Sequence, residues 1–98
     1  MKILCSELYE KQLKEILITI ASLDYNAAKN FKLYLDTIIL NVQTKARKYK
    51  QSMYSDNENI KDIEHNGYTI PFLFDEQNDT YLMLAILKKD TLENVIKK

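Results

Sequence analysis

The hydrophobic pattern of this chain changes period once, and that change limits the folds open to it. Up to Val42 apolar residues recur three and four positions apart, the spacing of a helix with one buried face; from Asn59 onward they alternate as in a strand with one buried face. Helices followed by a run of strands predict an α+β domain, with the helices gathered on one side of a mainly antiparallel sheet.

The elements follow from local signals. KILCS, residues 2–6, predicts a short first strand ending on Ser6, a good helix N-cap with Glu7 and Glu10 in or near the first turn. Tyr9, Leu13, Ile16, Leu17 and Ile20 then mark the buried stripe of a first helix. Asp24 is placed to cap a second helix carrying Ala27, Ala28, Phe31, Leu35, Ile38, Ile39 and Val42, and so short a loop predicts an antiparallel hairpin. Residues 59–65 predict a strand, and Asn66-Gly67 suits a two-residue hairpin turn. Tyr68, Ile70, Phe72 and Phe74 share one face of the next strand, and TYLMLAIL reads as a continuous apolar strand buried on both faces mid-sheet. Asp90 and Glu93 have the spacing of a capping box opening a short last helix. The expectation is one domain over residues 1–98: strand, two-helix hairpin, a sheet of four strands in all, and a short C-terminal helix.

Ninety-eight residues suffice for one modest core and a surface site. Formal net charge is zero, so affinity for nucleic acid or an anionic surface has to be local. A single cysteine, Cys5, excludes an internal disulfide and a zinc site built on cysteine pairs, which fits a cytoplasmic protein without metal or cofactor. Cys5 reads as a buried strand residue with no base to activate it. No apolar run is long enough for a membrane span. The strongest local charge is in TKARKYKQS, where Lys45, Arg47, Lys48 and Lys50 accumulate around Tyr49 with no acid between Asp36 and Asp56. That run is either a phosphate-binding or partner-binding patch or the basic end of the second helix, which the helix dipole favours.

Four features in fixed order give the sequence a wider meaning. They are Lys50-Gln51-Ser52, Asn59-Ile60-Lys61-Asp62, Gly67-Tyr68-Thr69-Ile70-Pro71-Phe72, and Ala85-Ile86-Leu87-Lys88-Lys89. In that order the chain resembles the RelE/ParE superfamily of toxins from bacterial toxin-antitoxin (plasmid stabilisation) modules, over nearly its whole length. The resemblance implies a growth-inhibiting toxin neutralised by a cognate antitoxin. RelE-like members cut messenger RNA on the translating ribosome, and ParE-like members bind and block DNA gyrase.

Cleavage by attack of a 2′-hydroxyl needs a base, an acid and cations around the charged transition state. The resemblance points to Lys61, Lys88 and Tyr68 as groups to supply them, and His65 adds a side chain able to act as acid or base near neutral pH. Each has a structural alternative: strand-end lysines that discourage edge pairing, a half-exposed histidine before a turn, and a packed tyrosine. Thr69 stands where RelE-like members commonly carry an arginine, and Lys61 replaces another arginine with a point charge that lacks the planar fork. These losses favour a ParE-like inhibitor acting by protein binding, with Lys45, Arg47, Lys48, Lys50 and Lys89 as the surface for an acidic antitoxin segment or the target; the alternatives are a RelE-like endoribonuclease and an inactive or regulatory small binding domain.

Overall fold

The computed structural model describes residues 1–45 and 48–88. Its elements run β1 (Lys2–Cys5), α1 (Glu7–Leu23), α2 (Tyr25–Leu40), α3 (Val42–Lys45), β2 (Ile60–His65), β3 (Tyr68–Asp75), β4 (Thr80–Met83) and β5 (Leu87–Lys88). This is the expected α+β arrangement, with a fifth short strand that the sequence did not reveal. The C-terminal helix expected from Asp90 lies outside the described residues, as do Arg47 and Lys89.

Two caps set the helical hairpin. The Ser6 hydroxyl oxygen accepts from the Tyr9 amide at 3.0 Å and so satisfies one of the orphan N–H groups that open α1. Asp24 serves both helices: its own N–H closes α1 by donating to the Ile20 carbonyl at 2.9 Å, and its carboxylate opens α2 by accepting from the Ala27 N–H at 3.2 Å. With one residue between the helices, the chain reverses at once. Asn41 interrupts the second helical pattern, so the stripe expected to run on to Val42 is split between α2 and α3.

The sheet has the order β1-β4-β3-β2, with β5 also on β3. β1 lies parallel to β4, and the remaining pairs are antiparallel. Asn66 and Gly67 turn between β2 and β3 with φ of 48° and 81°, the left-handed pair that a two-residue hairpin requires. The β2 edge is covered in part by the segment after α3: Gln51 bridges to Lys61, and Ser52 N–H donates to the Ile60 carbonyl at 2.8 Å.

TYLMLAIL is not one strand. Phe72 opposes Met83, a register that would carry Tyr68 to Leu87, yet Tyr68 opposes Lys88. One extra residue is therefore inserted between Met83 and Leu87, as in a β-bulge. Its cause is Pro71. Leu84 N–H donates to the Pro71 carbonyl at 2.9 Å, so the ring nitrogen of Pro71 also faces this side and offers no donor to continue the ladder. On its other side Pro71 opposes Asp62, whose N–H turns outward to the Lys50 carbonyl at 3.2 Å. A proline thus sits in a central strand by falling where its neighbour breaks, not at a sheet edge. Helix α1 and its cap satisfy the backbone groups freed by the break: Ser6 Oγ donates to the Leu84 carbonyl at 2.7 Å, and Gln12 Oε1 accepts from the Ile86 N–H at 2.9 Å. Nor is β4 buried on both faces; Tyr81 and Met83 are buried, while Thr80 and Leu82 are partly exposed.

Between the hairpin and the sheet lies one core. Leu35 and Val42 from the helices meet Ile63, Ile70, Phe72 and Met83 from the sheet, all at 1% exposure or less. Burying each such side chain contributes roughly 1.5–3 kcal/mol relative to leaving it in water.

Candidate functional site

The register joins three of the four residues proposed for catalysis. His65 ends β2, opposes Tyr68 at the start of β3, and Tyr68 in turn opposes Lys88 in β5. They form one cross-strand row at the hairpin end of the sheet, and their side chains share a face. That face is the one packed under α2: the Phe31 ring lies 5.4 Å from Tyr68, edge-on, and 5.7 Å from His65. Both residues are half-buried, whereas Lys88 is exposed. Burial holds His65 below its ordinary 6.5, so the ring is neutral near pH 7, with Nε2 at 3.3 Å from the Asn66 side-chain nitrogen. Tyr68 and Lys88 line an open groove of about 380 Å³ with Gln12, Glu15 and Thr19 of α1. Lys61 does not join the row; it opposes Phe72, four positions along β2 from His65, a separation of about 13 Å at strand rise.

The basic segment lies along the outer edge of β2. Lys45, Lys48 and Lys50 are exposed, and Tyr49 turns inward to meet the Phe72 ring edge-on at 5.7 Å. Lys48 and Lys50 share a cleft of about 480 Å³ with Asp62 and Glu64. Asp62 Oδ2 accepts from the Met53 N–H at 3.1 Å, and Oδ1 is buried without a hydrogen-bond partner among the described residues. Carboxylates beside the lysines offset their field, so among its described lining residues this cleft is nearly balanced in charge.

Thr69 is 1% exposed and faces away from the helices, opposite Glu64 and Leu87. Its hydroxyl has no partner among the described residues. The position at which the resemblance would place a phosphate-binding arginine is interior here. Cys5, expected to be buried, is instead exposed on the edge strand β1. Partial burial, with Glu10 and Asp36 nearby, raises its thiol above the ordinary value, which keeps it protonated and a poor nucleophile. Among the described residues no three His, Cys, Asp or Glu side chains gather as metal ligands.

Two apolar grooves lie along the helices, where the sequence reading did not place a site. Leu13, Leu17, Ile18, Ala21, Tyr25 and Ala28 line a groove of about 520 Å³ between α1 and α2, bordered by Glu10, Lys14, Lys29 and Lys32. A second groove of about 500 Å³ shares Glu10, Leu13 and Lys32 with it and leads past Tyr9 and Ile39 to Ile3 and Cys5 on β1. The sequence signal for these surfaces is apolar residues outside the core spacing, such as Ile18 and Tyr25, which are 60% and 73% exposed. Exposed apolar groups in one groove mark a partner surface more than a catalytic one.

No family model and no curated protein matches this sequence. Among solved structures the fold matches that of a protein described as "Chromosomal ParDE TA system from P. aeruginosa", with a TM-score of 0.69 at 14% identity. The match covers 90% of this chain and 95% of that chain. The fold is therefore ParE-like, in agreement with the fold that the resemblance implied. No helix of the described residues is long and apolar enough to cross a membrane.

Proposed function

We propose that this chain is the toxin of a toxin-antitoxin module, held by a cognate antitoxin in the cytoplasm, and that it inhibits its target by binding protein and not by cutting RNA. The toxin assignment rests on the ParE-like fold together with the ordered motifs of the sequence. The choice of mechanism rests on one observation: among the described residues, the candidates for cleavage do not all converge on an exposed, positively charged surface. His65 and Tyr68 pack against Phe31, Lys61 stands apart from them, and the exposed lysines of the basic segment lie beside Asp62 and Glu64. A phosphorane-like transition state would find little concentrated positive charge among the described residues.

The apolar grooves supply what protein binding needs. An amphipathic antitoxin segment laid between α1 and α2 would bury Leu17, Ile18 and Tyr25 and could pair acidic groups with Lys14, Lys29 and Lys32. In the basic segment Lys45, Lys48 and Lys50, with Arg47, would serve an acidic stretch of the antitoxin or of the gyrase target, as would Lys89. The row His65-Tyr68-Lys88 favours a second reading, a ribosome-dependent endoribonuclease, because it sets a proton acceptor and a cation on neighbouring strands.

Induced expression with and without the product of an adjacent small reading frame tests the assignment. Growth arrest relieved by that partner is the expected result; no arrest from the soluble protein would sink it. Parallel assays of gyrase supercoiling and of messenger-RNA cleavage during translation separate the two mechanisms.

A further inference from the structure

The outward side of α2 carries no charge along its whole length. Asn26, Asn30, Leu33, Thr37 and Leu40 are all exposed, and they repeat at alternating spacings of four and three residues. Asn26, Asn30, Leu33 and Thr37 each lie two positions from one of the buried residues Ala28, Phe31, Leu35 and Ile39, about 200° around the helix, and so point away from the core; Leu40 follows Leu33 by seven residues on the same side. A solvent-facing stripe normally gathers the charged residues of an amphipathic helix. Here Leu33 and Leu40 are 60% and 66% exposed within it, and Tyr34 beside it is 57% exposed.

The spacing is that of the seam of a coiled coil, with asparagine and threonine among the leucines. The three charged residues of α2, Lys29, Lys32 and Asp36, lie to one side of the stripe. Lys29 and Asp36 are seven residues apart and occupy the same flanking position in successive repeats. In an antiparallel pair, like flanks meet. Lys29 of one copy then reaches Asp36 of the other, and symmetry repeats the contact. A parallel pair would instead set Lys29 against Tyr34, with no charge partner.

We propose that the outward face of α2 is a self-association surface, on which a second copy of this chain packs antiparallel about a two-fold axis. Leu33 and Asn30 share the middle of the contact, and Asn26 falls opposite Thr37, each able to donate to or accept from the other. Lys29 and Asp36 fix the orientation from the flank. The bond from Lys32 to Asp36 within the helix is exposed and does not prevent this, since an exposed pair of that kind contributes little. One helix pair about 24 Å long is smaller than a standard interface of roughly 800 Å² per partner, so association is weak and concentration-dependent. The inference stands apart from the toxin assignment.

Sedimentation equilibrium of the full chain, made by cell-free synthesis, tests it. The apparent mass is expected to rise from monomer to dimer between micromolar and millimolar protein. Leu33→Glu should hold the chain monomeric with its circular dichroism unchanged. Lys29→Asp and Asp36→Lys should each weaken dimerisation roughly tenfold by opposing like charges, and the double variant should restore it. A monomer at every concentration, a dimer indifferent to Leu33→Glu, or a double variant no better than the single ones would overturn the proposal. So would a dimer abolished by substitutions in the α1–α2 groove instead, such as Ile18→Glu.

Discussion

Helices α1 and α2 begin on caps that lie three residues from what they bind, Ser6 to Tyr9 and Asp24 to Ala27. The end of the sheet is held differently: Leu84 and Ile86 are bonded by Ser6 and Gln12, 78 and 74 residues away. One region is built from neighbours and the other from contacts that exist only after the chain has folded. The difference separates what is robust to substitution from what is not, and it decides where a site is stable enough to be aimed.

The largest effect should come from the layer that both regions share. Phe72→Ala removes a fully buried ring that meets Tyr49 and Tyr81, and should cost about 3–5 kcal/mol in denaturant unfolding. A smaller loss, or an unchanged midpoint, would mean that hairpin and sheet do not share one core. Next is the long-range tie. Gln12→Leu leaves the Ile86 N–H without its acceptor and should cost roughly 1–3 kcal/mol. Hydrogen exchange at Ile86 should then speed up while the α2 amides stay protected; equal loss across both regions would blur the distinction. A local element should respond less: Gly67→Ala meets no atom within 4 Å of the added carbon and carries only the strain of a φ of +81°, about 1 kcal/mol.

The smallest effect is one of pH. Burial depresses His65 in the folded chain below its ordinary 6.5, so the unfolded chain binds the proton more readily. The contribution of this residue is fully present above pH 6.5 and is lost as the pH falls from there through the folded-state value. His65→Asn should flatten that part of the stability profile, and a profile unchanged by the substitution would mean that the ring is not desolvated.

The same contrast explains what was legible in the sequence. Ser6, Asp24 and the turn at Asn66-Gly67 act through their own dihedrals and nearby amides, so composition and spacing located the helices and the hairpin. The stripe led by Phe31 and Leu35 was equally visible. The break in TYLMLAIL was not, because its cause, Pro71, belongs to another strand and acts only through the register. Cys5 looked interior because strand residues often are, yet β1 is an edge. As for the site, the row of His65, Tyr68 and Lys88 could be named residue by residue, but no local signal showed that Phe31 would lie on it. The grooves between the helices carry no charged motif; their sequence mark is apolar residues such as Ile18 and Tyr25 outside the core spacing, a weaker signal than a run of lysines.

The central claim is that the protein inhibits by binding and not by cleavage. The most direct measurement maps messenger-RNA 5′ ends in cells during induction of the wild-type chain and of the Lys61→Ala/Lys88→Ala variant, with growth followed in parallel. Growth arrest is expected in both cultures, with no new cleavage sites in either. New cleavage sites with the wild-type chain, lost together with the arrest in the double variant, would contradict it.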